Sequence, residues 1–258
     1  MMAEKEVVEM SNSGKENNKL ALQEREPEIT MTRTMVAALA GMAGSMLFAG
    51  AFTIEGWFHP GYNPLSMYVS VLSLGPSGWI QMGNFVISGS LLLIFAWGIA
   101  PEFPTGKASK TGALLLGIIA VCLLFSGPFV MDPMGTLRGT ESLHGMVHGL
   151  LGGIVFICMA VSCFVFLRCF REDPKWQWFR GPTLAAGAII AASVILLTLV
   201  TKLPLAPEIF EPWLGLIQRG IIIPFMIWLF VFALGLYRQK RVETAGRNRK
   251  VSGNGMNR

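Results

Sequence analysis

Charge is what this sequence has least of. Asp, Glu, Lys and Arg make up 14% of its 258 residues, against 52% hydrophobic residues and a mean hydropathy of +0.53. Soluble domains carry about 25% charged residues, so that class is excluded. The stretch 1–33 has no apolar run, so it is not a cleavable signal peptide; nothing in it could form a core, and a disordered, solvated tail is expected. Cysteine is scarce too: Cys122, Cys158, Cys163 and Cys169 contain no CxxC pair. That argues against disulfides or thiolate zinc and for apolar filling. Gly-rich phosphate loops, Walker sequences and Rossmann fingerprints are absent, which excludes a nucleotide-driven pump. The net charge of +5 calls for no nucleic acid, because the basic tails suit an anionic lipid surface.

What fills the chain instead is six apolar runs of about 20 residues, the length that crosses roughly 30 Å of hydrocarbon at 1.5 Å per residue. They read Thr34–Ile54, Ile80–Ala100, Gly112–Met131, Gly145–Leu167, Thr183–Thr201 and Leu214–Tyr237. Lys and Arg sort by side. Eighteen of the 21 fall in the N-terminal tail, the second and fourth connections and the C-terminal tail; the other side holds only Arg138 and Lys202, and Arg219 lies within a span. By the positive-inside rule both termini are cytoplasmic. The expected fold is all-α: a polytopic six-transmembrane-helix bundle, N-in and C-in, in a cell (plasma) membrane. Its expected parts are a tail at 1–33, a membrane domain at 34–237 and a basic tail at 238–258. Small residues write its packing, with Ala37, Gly41, Ser45 and Ala49 in the first span and Gly145, Gly149 and Gly153 in the fourth. Either ladder admits a close helix or a second copy of the chain as a homo-oligomer. Pro128 and Pro224 are expected to bend the third and sixth spans.

Between spans, the only long connection without Lys or Arg is Glu55–Gly75, EGWFHPGYNPLSMYVSVLSLG. Asn63 before Pro64 reads as a helix start and Gly75-Pro76 as its end. Ser66, Ser70 and Ser73 lie at helical spacing within it, so a short interfacial helix is expected in this first external loop. Trp57, Tyr62, Trp79 and Trp213 suit an outer aromatic belt.

Ionisable groups gather at the same end. Glu55 closes the first span, Asp132 the third, and Gln218 and Arg219 open the sixth. All three histidines, His59, His144 and His148, are external. His144 and His148 are four apart on one helical face and can converge on one ligand. An arginine at the depth of Arg219 calls for a carboxylate, with Asp132 or Glu55 nearest.

The pattern E-x3-H-P-G-Y-N-P-L-S-x3-S over Glu55–Ser70, followed by Asp132-Pro133, His144-x3-His148 and Gln218-Arg219, resembles the integral-membrane family of domain of unknown function 998. The resemblance spans Thr34 to Tyr237. It implies six membrane helices and a shared external polar site, and supplies no activity.

Chemistry leaves three readings. The polar site of Glu55, His59, Asn63, Ser66, Ser70, Asp132, His144, His148, Gln218 and Arg219 binds or transports a polar or amphiphilic ligand. Alternatively it hydrolyses a lipid-like substrate at the outer leaflet, with zinc held by His144, His148 and either His59 or Asp132. No HExxH motif supports that zinc site, and Glu55 would have to serve as its base. The third reading is an ion-paired plug that fixes helix ends. Membrane lipids are the expected partners.

Overall fold

Runs of this length without water leave the backbone one way to satisfy its N–H and C=O groups, which is to bond within the segment. In the computed structural model each of the six runs is helical over most of its length. The structure describes residues 31–102, 107–137, 139–202 and 207–255, and none of these is in a strand. The expected tail at 1–33 therefore lies outside the described residues as far as Thr30. The long helices are α1 (Arg33–Phe58), α2 (Gly78–Ile99), α3 (Lys107–Ser126), α4 (Leu143–Glu172), α5 (Arg180–Lys202) and α6 (Leu214–Gly255). Five segments are long and apolar enough to cross a membrane: those of α1, α2, α4, α5 with the 3-10 turn before it, and α6. The apolar helix Lys110–Ser126 within α3 is shorter. Arg33–Tyr237 forms one compact unit, and Arg238 onward belongs to another, where Lys240 pairs with Glu243 at 3.0 Å.

Small residues set the α1–α2 seam. Gly98 lies against Ala37, and side chains placed at Gly41 and Gly44 would press on Phe95 and Leu91. The first-span ladder is thus used inside the chain, where it brings two backbones close. Arg33, opening α1, stacks 3.2 Å from the Trp97 ring centre and donates to the Trp97 carbonyl at 2.8 Å, near the end of α2. The helices therefore run antiparallel, and Glu55 stands beside the start of α2. The ladder on α4 behaves differently: the Asp132 carboxylate crowds Gly145, whereas a Cβ at Gly149 or Gly153 would meet nothing within 4 Å.

Aromatic rings fill the end where α4 gives way to α5. Phe166 and Phe232 lie 4.9 Å apart, Phe170 and Trp176 4.9 Å, and Trp176 and Phe232 5.1 Å. The Trp228 indole donates to the Thr183 hydroxyl at 3.0 Å. The four cysteines are free and buried.

Two expectations are corrected here. α3 stops at Ser126, so Pro128 follows the helix instead of bending it; proline disfavours helical backbone in the residue before it. Pro224 lies inside the continuous helix α6, where a proline removes one i→i−4 bond. The first connection is not an α-helix from Asn63. It forms a turn, in which the Asn63 side chain accepts from Leu65 N–H at 3.0 Å and its carbonyl from Met67 N–H at 2.8 Å. A five-residue 3-10 helix, Val69–Ser73, follows, with Val69 and Leu72 buried. An asparagine followed by proline satisfies an Asx turn as well as a helix start, and Gly61 (φ 76°) and Gly75 (φ 78°) close the turns on either side.

Candidate functional site

The connection 59–77 is fastened to the start of α6. Gly215 makes this possible: a side chain there would overlap the carbonyl oxygens of Met67, Pro64 and Leu65. Leu216 N–H bonds the Leu65 carbonyl at 2.8 Å, and the buried Gln218 side chain accepts from Val69 N–H at 2.7 Å. Arg219 completes the clasp. Its Nη1 donates to the carbonyls of Pro64 (2.6 Å), Met67 (3.1 Å) and Gly215 (3.1 Å), and its Nη2 to the Tyr62 hydroxyl (2.5 Å). Tyr62 passes the bond on to the Tyr68 carbonyl at 3.2 Å. Burial pushes the Tyr62 phenol above its ordinary range while the adjacent Arg219 pulls it down; burial likewise raises Tyr68.

This overturns the expected ion pair. Among the described residues Arg219 reaches neither Asp132 nor Glu55; backbone carbonyls turned inward by the Asn63 turn take up its donors. A guanidinium presents five N–H groups in a fixed fork and is satisfied by several neutral acceptors as well as by one carboxylate. Tyr62, expected in an aromatic belt, is instead part of this clasp, and its ring packs so near Gly56 that a Cβ there would come within 3.0 Å of it. Trp57 and Trp79 are exposed.

Among the described residues nothing hydrogen-bonds the Glu55 carboxylate. Its residue is 7% exposed, yet neither carboxylate oxygen has a hydrogen-bond partner. It lines a crevice of about 290 Å³ together with Ala51, Ile54, Phe58, His59, Ser77 and Ile80, between the end of α1 and the start of α2. His59 uses Nδ1 on the Pro60 carbonyl at 3.2 Å and stands edge-on to Tyr62. From Ser77 a polar stripe that the sequence reading passed over continues along α2 as Gln81, Asn84 and Ser88, all buried. Asn84 donates to the Phe48 carbonyl (3.2 Å) and to Gln81 Oε1 (3.1 Å), and Ser88 donates to Asn84 (3.1 Å). Gln81 Nε2 has no partner. The spacing 77, 81, 84, 88 inside an otherwise apolar helix was the available signal.

The remaining candidates form a corner between α3 and α4. Asp132 Oδ2 accepts from Ser142 N–H at 2.8 Å, and the Ser142 hydroxyl from Gly145 N–H at 3.0 Å, so both cap α4. Buried His148 bonds the Phe129 carbonyl through Nδ1 at 2.7 Å, which requires the proton on that nitrogen. His144, exposed, lies over the Phe129 ring at 5.5 Å. The two histidines thus differ in setting: His148 is buried and held by a carbonyl, and His144 is exposed. Among the described residues no three His, Cys, Asp or Glu are grouped to hold a metal. His148, Gln218, Ser70 and Ser126 line a small pocket of about 30 Å³, room for water and little more. Ser73 donates to the Ser70 carbonyl at 2.7 Å, and Ser66 lines neither space. Ser70 and His148 line the same pocket without a hydrogen bond between them.

No curated protein and no solved structure is significantly similar to this chain. The family described as a protein of unknown function, DUF998, matches residues 42–235, from the middle of α1 through most of the apolar part of α6. That match takes in Glu55, the 59–77 connection, the α3–α4 corner and Arg219. The chain is a helical multi-pass membrane protein and belongs to the DUF998 family.

Proposed function

We propose that this protein binds, or carries, an amphiphilic ligand at the crevice between α1 and α2. In this reading the chain crosses a cell membrane six times with both termini cytoplasmic, α3 serving as the shortest span, so that the crevice lies at the external face among membrane lipids. The observation that carries it is Glu55. Leaving an ionised carboxylate buried and unpaired costs several kcal/mol, and intramembrane ionisable groups ordinarily mark ligand or ion paths. The crevice supplies the complementary shape: one carboxylate, one imidazole and one hydroxyl among Ile54, Phe58 and Ile80, of which Phe58 and Ile54 are exposed on the outer surface of the bundle. Pockets with a few polar groups in an apolar lining are the usual form of small-molecule sites. Of the ten residues expected in one site, Glu55 and His59 carry this reading. Arg219, Gln218 and Asn63 position the segment above it, and Gly149 and Gly153 leave an open face for a second copy of the chain.

Native mass spectrometry of the full chain released from membranes in mild detergent tests this. Wild type is expected to retain an adduct of amphiphile mass that Ile80→Trp, which fills the crevice without changing charge, loses. Identical spectra from two folded proteins would end the proposal.

A further inference from the structure

We infer that the ligand of the Glu55 crevice is a single-chain primary amine, its ammonium bound by the Glu55 carboxylate and its hydrocarbon chain lying over Ile54, Phe58 and Ile80. The inference rests on the crevice being a ligand site. Among the described residues the two carboxylate oxygens have no donor, and each exposes less than 1 Å² where the side chain stands, so the partner that Glu55 turns to meet in the crevice must bring N–H or O–H groups and, for an ionised carboxylate, positive charge. An ammonium does both, with up to three donors. A quaternary ammonium brings charge without donors and would leave both oxygens unbonded. The rest of the lining is apolar apart from His59 and Ser77, which fits a hydrocarbon chain and not a polyamine.

The same chemistry is offered by the headgroup of an aminophospholipid, but that headgroup also carries a phosphate. Glu55–Gly75 contains no Lys or Arg, and the guanidinium of Arg219 is spent on three carbonyls and a phenol. A phosphate would find only His59 and the Ser77 hydroxyl in the crevice, so the single-chain amine is the better match.

The test uses the full chain in phosphatidylcholine nanodiscs, whose headgroups lack N–H donors, and measures retention of radiolabelled decylamine above that of empty discs. Saturable retention is expected. It should fall about tenfold or more in Glu55→Gln and for decyltrimethylammonium, the loss that goes with charge-assisted hydrogen bonds. Glu55→Gln should melt no lower than wild type, because it removes an unpaired charge. Equal retention of the two cations, or no effect of Glu55→Gln, would overturn the inference. Retention of decanol or decyl sulfate that depends on an open crevice, lost in Ile80→Trp while decylamine is not retained, would overturn the ammonium and leave the crevice reading standing. No crevice-dependent retention of any of the four would remove both. Displacement of decylamine by phosphatidylethanolamine in the disc would transfer the site to the lipid headgroup and overturn the single-chain assignment.

Discussion

At the scale of single residues, the end of the bundle around Glu55 and Arg219 separates groups that the described residues satisfy from those that they do not. Arg219 belongs to the first kind. Arg219→Leu withdraws donors from three carbonyls and a phenol and is expected to lower stability by about 3 kcal/mol. A double-mutant cycle decides which partner matters. Arg219→Leu with Tyr62→Phe should couple by about 1 kcal/mol, whereas with Glu55→Gln the effects should add within about 0.5 kcal/mol. Strong coupling to Glu55 would restore the ion pair. The histidines divide in the same way. His148→Leu orphans the part-buried Phe129 carbonyl and should cost about 1–3 kcal/mol, while His144→Gln at its exposed position should stay within about 0.5 kcal/mol; equal losses in thermal melts would contradict this division. The sequence showed that Arg219 needed partners, because the cost of burying a guanidinium is a property of the residue. It could not show that the partners were carbonyls, because backbone acceptors exist at every position and only the path of the turn at Asn63–Met67 decides which of them face inward.

At the scale of elements, the helices were legible and the connection was less so. Long apolar runs allow one backbone solution, so their centres could be read directly. The end of α3 was misplaced by five residues, Met131 expected and Ser126 found, because Gly127, Pro128 and Phe129 are apolar enough to extend a hydropathy run that Pro128 ends sterically. The segment 59–77 offered helical serine spacing, yet it folds as an Asx turn and a 3-10 helix, since its register is set by contacts with α6 that lie some 150 positions away, Val69 to Gln218 among them. Gly215 is the hinge of that contact. Gly215→Ala would drive a methyl into the carbonyls of Pro64, Leu65 and Met67 and should lift the segment from α6. Hydrogen exchange at Val69 and Leu216 amides is then expected to quicken while the amides of α1 and α2 keep their protection; unchanged exchange at Val69 would mean that the clasp is not what holds the connection.

At the scale of the whole molecule, the distribution of Lys and Arg along the chain predicts which end of the bundle faces the cytoplasm. Impermeant thiol reagents check the orientation in intact cells. The four native cysteines are buried, so cysteines placed at the exposed positions Pro76 and Thr140 should react from outside and one at Gln177 should not. Labelling at Gln177 would contradict a six-span chain with both ends inside. Gly78, an obvious choice from the sequence, is unsuited because a side chain there would strike the Ser73 carbonyl. The central claim is narrower: Glu55 is completed by a ligand and not by the protein. An experimental density map of the full chain in lipid nanodiscs tests it most directly. The account predicts non-protein density within about 3 Å of a Glu55 carboxylate oxygen, extending between Ile54, Phe58 and Ile80. A Glu55 side chain bonded to Arg219, Tyr62 or Gln81, with α1 and α2 closed over the crevice, would contradict it.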